Sequence, residues 1–129
     1  MSVYEQVVYA VKKAVVSGQL QPGDSFPSVR TLSQELQINP NTAHKAIATL
    51  IHEGMLEVKP GVGTLVARVL PGTGRQRSLL LKDEVERLVV EARRLSLDLV
   101  DVLEAVEDHW RRLGNPTEIG KMRVTEDEE

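Results

Sequence analysis

Apolar residues recur at three- and four-residue spacing along the first part of the chain, which is typical of helices with one buried face. The first helix is predicted at about residues 3–17, just before Gly18. Its inward face is expected to carry five apolar residues: Val7, Val8, Val11, Ala14 and Val15. Residues 19–26 include Pro22 and Gly23, two turn formers, and are expected to form a loop.

Two further helices are predicted close together, each with a capping residue at its start. Ser28 caps the first, at about residues 27–37, because its hydroxyl can accept from the free amides of the first turn. Asn39 caps the second, where Pro40 suits the first helical position and Gly54 ends the helix. The buried positions expected on the two helices are Val29, Leu32, Ser33 and Leu36, followed by Ala43, Ala46, Ile47, Leu50 and Ile51. Small alanines let the helices approach closely, which predicts a helix-turn-helix.

A β-hairpin is predicted directly after these helices. Residues 56–59 alternate apolar and polar side chains, as in a strand with one buried face, and residues 64–67 form the returning strand. The Pro-Gly-Val-Gly sequence at residues 60–63 is a turn signal. The predicted fold class is therefore mainly α with a small β-hairpin, a winged helix-turn-helix over residues 1–69.

The second half of the chain is predicted to form a helical hairpin. Residues 70–78 contain Pro and Gly and are expected to be a linker, followed by a two-helix domain at residues 79–114. Asp98 is expected to cap the second of these helices. Residues 115–129 end in Glu-Asp-Glu-Glu and are expected to be disordered.

The helical hairpin carries an apolar stripe that a single copy would leave largely uncovered. Packing against the same hairpin of a second copy would form a four-helix core, and two-fold dimers are the commonest soluble oligomers. The residues expected at this dimer interface are Leu81, Val85, Leu88, Val89, Ala92, Leu95, Leu99, Val102, Leu103, Val106 and Trp110.

Composition argues against an enzyme. The chain has no cysteine, and its three histidines are scattered without metal-ligand spacing. The Gly-x-Gly at residues 61–63 lacks the helix that follows it in a nucleotide fingerprint. No catalytic residue, metal or cofactor is therefore expected. Without a membrane-length apolar stretch or a signal-peptide layout, the chain is predicted to be a soluble cytoplasmic protein.

Charge divides unevenly between the two halves. Residues 1–75 hold seven Lys and Arg against five Asp and Glu, a net charge of +2, whereas residues 76–129 hold nine against 14, a net charge of −5. A partner rich in phosphates would meet the first half. Because +2 is modest, two copies are expected to be needed for useful affinity.

Several short motifs of the first half form one ordered pattern. They are Tyr-x-Gln-Val at 4–7, Ser-Gly-x-Leu-x-Pro-Gly-Asp at 17–24, Pro-Ser-x-Arg at 27–30, Asn-Pro-Asn-Thr at 39–42, Glu-Gly at 53–54 and Gly-x-Gly-Thr at 61–64. Over about residues 3–68 the chain resembles GntR-family bacterial transcription regulators, and its short helical tail is similar to the YtrA subfamily. The resemblance implies a bacterial regulator that binds double-stranded DNA as a homodimer. We expect a repressor that recognises an inverted repeat near its own operon.

The motifs and their helix positions together implicate particular residues in DNA contact. These are Ser28, Arg30, Asn39, Asn41, Thr42, His44, Lys45, Gly61, Val62 and Gly63. Arg30 can reach a phosphate or a guanine edge, and Asn41 could make a paired contact with adenine. Lys45 is expected to meet the phosphate backbone. The glycines of the wing tip allow close approach to the minor groove.

Sequence preference cannot be transferred from other members of the family. Pro40 replaces a basic residue that several members use for base contact. His44 stands where arginine often occurs and would contact DNA more weakly at neutral pH.

Other interpretations of the same residues stay open at this point. Arg30 could form a surface pair with Asp24 or Glu35, and Ser28 and Asn39 could serve only as caps. The wing glycines could form nothing more than a turn. The whole domain could be a protein-interaction module with a helical docking tail, because fold does not fix function. Whether a small-molecule effector exists, and what it is, also stays open.

Overall fold

A computed structural model describes residues 1–113, which form two compact units, Met1–Val69 and Leu70–Leu113. The predicted end of the two-helix domain at residue 114 and the predicted disordered tail at residues 115–129 lie outside the described residues. The first unit consists of α1 (Val3–Val16), α2 (Val29–Leu36), α3 (Pro40–His52), β1 (Leu56–Lys59) and β2 (Gly63–Val66). This arrangement confirms the predicted fold class, mainly α with a β-hairpin.

Side-chain caps fix where the helices of the helix-turn-helix begin. The Ser28 hydroxyl accepts from the Thr31 amide at 3.2 Å, as predicted. Asn39 caps α3, and Pro40 is the first helical residue. The sharp turn between the helices depends on Gln37, whose φ of 53° is left-handed and whose amide donates back into the last turn of α2.

The core of the first unit lies where α1, α3 and the base of the hairpin meet. The α3 residues Ala43, Ala46 and Leu50 have no exposed surface, and the absence of bulk at the two alanines lets neighbouring elements pack closely. The other buried members are Val7, Val8, Val11, Val15, Phe26, Leu32, Ile47, Leu56 and Val66. Two expected core residues differ: Leu36 and Ile51 lie at helix ends and are exposed.

The hairpin is antiparallel and pairs Leu56 with Val66 and Lys59 with Gly63. The returning strand therefore begins one residue earlier than the predicted 64–67. Leu56 is buried, but Val58, two residues nearer the turn, is exposed. The alternating pattern of β1 thus buries a side chain only at the base of the hairpin.

Residues 23–26, predicted as part of a loop, pair with the outer side of β2. Amide groups of Gly23 and Phe26 donate to the carbonyls of Val66 and Thr64, each at 2.8 Å, and Ser25 forms an antiparallel bridge with Leu65. The wing is therefore held from both sides. This pairing joins residues about 40 apart in the chain, and no local pattern indicates it.

The second unit is helical from Gly74 onward: α4 (Gly74–Ser78), a π-helical segment (Leu79–Glu84), α5 (Val85–Arg94) and α6 (Leu99–Leu113). Its first helix begins inside the segment predicted as a linker, because Thr73 and Gln76 form a capping box. The Thr73 hydroxyl accepts from the Gln76 amide at 3.1 Å, and the Gln76 side chain accepts from the Thr73 amide at 2.8 Å.

The turn between α5 and α6 lies where the sequence predicts a break. Ser96 has a left-handed φ of 59°, and the Leu97 amide donates to the carbonyl of Ala92 at 2.9 Å. The Asp101 carboxylate accepts from the Asp98 amide at 3.1 Å, which closes the first turn of α6. Leu97, in the turn, and Val102, on α6, both line an apolar groove between the two helices.

Candidate nucleic-acid interface

The start of α3 presents a row of polar side chains to solvent. Asn39, Asn41, His44 and Lys45 are exposed and Thr42 is half-buried, whereas the opposite face of the helix lies in the core. The side-chain oxygen of Asn39 accepts from the Asn41 amide at 2.7 Å. This bond fixes the first turn, so that the polar side chains project from a rigid helix.

The start of α2 supplies two more of the predicted contact residues. Ser28 is exposed, accepts from the Thr31 amide and donates to the Thr31 hydroxyl at 3.1 Å. Arg30 is exposed on the first turn. Within residues 1–113 no ion pair joins Arg30 to Asp24 or Glu35, and the Asp24 carboxylate instead accepts from the Gln21 amide at 2.8 Å. The Arg30 guanidinium is therefore available to an external anion.

The wing tip is a tight turn that requires glycine. Gly61 and Gly63 have φ values of 78° and 115°, and the Val62 amide donates to the Lys59 carbonyl at 3.0 Å. Side chains other than hydrogen are strained at such φ values. Val62, between the two glycines, is an apolar residue with 68% of its surface exposed.

Lys45 has a partner that sequence reasoning missed. Its ammonium lies 4.3 Å from the centre of the Tyr4 ring, and the Tyr4 hydroxyl lies 2.7 Å from that of Thr49. Tyr4 opens the Tyr-x-Gln-Val motif at the start of α1. The motif gave a signal that Tyr4 matters, but it did not indicate the partner on α3.

The apolar residues predicted at a dimer interface all lie in the second unit. Leu88 and Leu103 are about half-exposed, and Trp110 is 79% exposed, whereas Ala92 is 6% exposed because the hairpin itself covers it. The two helices enclose an apolar groove of about 540 Å³ whose lining includes Leu88, Leu95, Val102, Val106 and Trp110. The remaining members, Leu81, Val85, Val89 and Leu99, are exposed in the single chain.

Charged groups of the second unit pair along the helices. The Arg112 guanidinium donates to the Asp108 carboxylate. This hydrogen bond lowers the pKa of Asp108 and raises the pKa of Arg112 relative to their ordinary values.

In the described part of the chain, no group of three or more His, Cys, Asp or Glu side chains could hold a metal ion. None of the helices within residues 1–113 combines the length and apolar character needed to cross a membrane.

The helix-turn-helix, the exposed polar start of α3 and the glycine-tipped hairpin define a winged helix-turn-helix protein, a class that commonly places its second helix in the major groove of DNA.

Comparison with known proteins agrees with this class. Residues 3–66 match the model of the bacterial regulatory proteins of the gntR family. The chain is 30% identical over 107 residues to the HTH-type transcriptional repressor YtrA of Bacillus subtilis (strain 168), covering 82% of each chain.

Solved structures show the same architecture across both units. The crystal structure of a transcriptional antiterminator from Listeria monocytogenes EGD-e has a TM-score of 0.79 at 22% identity and covers 89% of this chain and 88% of that one. A transcriptional regulator from Oenococcus oeni has a TM-score of 0.61 at 26% identity, with coverage of 84% and 90%. The chain belongs to the GntR family and is a DNA-binding transcription regulator.

Proposed function

We propose that the protein is a homodimeric repressor in the bacterial cytoplasm that recognises an inverted-repeat operator near its own operon. The observation that carries the proposal is the combination of two features in one chain. The first unit exposes the polar start of α3, the proposed recognition helix. The second unit has an apolar groove that its own side chains leave open. A single DNA-binding unit with modest positive charge binds weakly, so two copies joined through their helical hairpins would provide the affinity.

Contacts to DNA are proposed to divide between positioning and reading. The exposed Arg30 and the hydroxyl of Ser28 lie at the start of α2, where backbone amides favour a phosphate. Asn41 and His44 lie on the exposed face of α3 and would read base edges in the major groove. The wing tip at residues 61–63 would approach the minor groove.

The second copy is the proposed occupant of the groove between α5 and α6. The groove is lined mainly by apolar side chains, among them the exposed Trp110, and neighbouring residues such as Leu99 and Leu103 extend the apolar surface. An identical hairpin would supply matching apolar side chains, and a two-fold axis would then present two recognition helices to one duplex.

The proposed role as a repressor rests on the similarity to the Bacillus subtilis repressor YtrA over 82% of the chain. Steric block of transcription requires only tight binding near the promoter. A reporter gene placed behind the protein's own upstream region should be expressed less when the protein is present. Expression that rises instead would identify an activator and contradict the proposal.

An electrophoretic mobility shift with a duplex from the upstream region, over a salt series, tests DNA binding itself. Affinity should fall steeply as salt rises, because bound phosphates release counterions. Binding that is absent, or indifferent to salt, would favour the alternative in which the winged helix contacts another protein.

A further inference from the structure

Tyr4 touches the recognition helix through two different parts of its side chain. The face of its ring lies beneath the Lys45 ammonium, with 4.3 Å between the nitrogen and the ring centre. Its hydroxyl meets the Thr49 hydroxyl at 2.7 Å. Lys45 and Thr49 are four residues apart on α3, so they lie on the same side of that helix.

The start of α1 is itself fixed in place. The Ser2 hydroxyl accepts from the Glu5 amide at 3.1 Å, and the Glu5 carboxylate accepts from the Ser2 hydroxyl at 3.0 Å. Further along, Lys12 pairs with Glu53 at 3.0 Å. Contacts at Tyr4 and at Lys12 therefore join α1 to α3 at two places. The first turn of α1 therefore holds Tyr4 as a rigid platform beside α3.

We infer that Tyr4 is a positioning residue for DNA binding, which holds the Lys45 ammonium ready for a backbone phosphate. A free lysine side chain loses much rotamer freedom when it binds, and a side chain already ordered by an aromatic ring loses less. The ring attracts the cation without neutralising it, unlike a carboxylate, so Lys45 keeps its full charge for the phosphate. The Thr49 hydroxyl fixes the plane of the ring through the Tyr4 hydroxyl.

This inference rests on the proposed contact between Lys45 and phosphate, and it assigns a role to a residue outside the helix-turn-helix. It also explains why an aromatic side chain stands half-exposed at the start of α1 although the core could use an aliphatic one. Leucine there would retain most of the packing against α3 but would offer no ring to the ammonium.

A double-mutant cycle tests it with the full chain and a duplex that the wild-type protein selects from a random-sequence pool. Tyr4→Leu should weaken binding about two- to fivefold, the size expected for an exposed cation–π contact. In the Lys45→Ala background the same change should have little further effect, because there is no ammonium left to position. Tyr4→Phe keeps the ring and should retain most of the affinity.

Tyr9→Leu is a matched control on the same helix, since no Lys or Arg side chain lies over its ring within residues 1–113. It should leave DNA affinity near the wild-type value. The melting temperature of each variant shows whether the fold is kept. A purely structural role for Tyr4 predicts that Tyr4→Leu loses the same factor in DNA affinity with and without Lys45. That result would overturn the inference.

The cycle also separates this inference from the proposed function. If Lys45→Ala leaves affinity and its salt dependence unchanged, the phosphate contact itself is wrong and the inference falls with it. If Lys45→Ala weakens binding and reduces the salt slope by about one contact, whereas Tyr4→Leu has no effect, only the role of Tyr4 is refuted.

Discussion

The side-chain oxygen of Asn39 accepts a hydrogen bond from the backbone amide of Asn41 at 2.7 Å. One residue thus caps the recognition helix and also stands among those predicted to contact DNA. The two roles can be separated, because aspartate offers the same capping oxygen but adds a negative charge where phosphates are expected.

Asn39→Ala should lower the free energy of unfolding by about 1 kcal/mol, because the amide of Asn41 loses its partner. Asn39→Asp should keep the stability of the wild type, since it keeps the cap, yet bind duplex DNA more weakly. Urea denaturation gives the first quantity and a mobility shift the second. An aspartate variant that binds DNA as tightly as the wild type would place Asn39 away from the duplex.

Arg30→Ala should weaken binding to the operator and reduce the salt slope by about 0.9, as expected for the loss of one phosphate contact, while changing the melting temperature little. The reason is that Arg30 is exposed, and no ion pair within residues 1–113 involves it. Arg87→Ala removes the same charge from a surface pair in the second unit and serves as the control. A comparable loss of folding stability in the Arg30 variant would instead identify a structural role.

Opposite charges at the wing tip should shift affinity in opposite directions. Val62→Lys is expected to tighten binding and raise the salt slope by about 0.9, whereas Val62→Glu should weaken binding. Neither change should alter the melting temperature, because the side chain is 68% exposed. Equal affinities for the two variants in a salt-series titration would mean that the wing stays clear of the phosphates.

Charged residues at the predicted dimer interface should dissociate the proposed dimer. Leu88→Glu or Leu103→Glu would bury an unpaired carboxylate in the four-helix core, and sedimentation velocity should show monomers with lower operator affinity. Val90→Glu and Val100→Glu are controls on the same two helices, since both residues are exposed and lie outside the predicted interface. Dimers that survive at Leu88 and Leu103 but dissociate at the control positions would move the interface to the other face.

The helix-turn-helix could be predicted from the sequence because its signals are local. Ser28 and Asn39 cap their helices through bonds to residues two or three positions away, and Pro40 suits only the first helical turn. The buried face of α3 follows directly from the spacing of Ala43, Ala46, Ile47 and Leu50.

Long-range pairing explains most of what the sequence did not indicate. The bridge between Ser25 and Leu65 and the contact between Tyr4 and Lys45 join segments far apart in the chain, so no local period reports them. The early start of α4 is different. Thr73 and Gln76 have the spacing of a capping box, which is typical of a helix start. The Pro and Gly residues of the same segment suggested a linker instead.

The central claim is that two copies present matched recognition helices to one duplex. Hydroxyl-radical footprinting on an operator selected from random sequence, combined with the stoichiometry of the complex, tests it most directly. We predict two symmetric protected half-sites, separated by about one helical turn or a multiple of it, with two chains bound per duplex. Protection of a single unrepeated half-site by one chain would contradict the account.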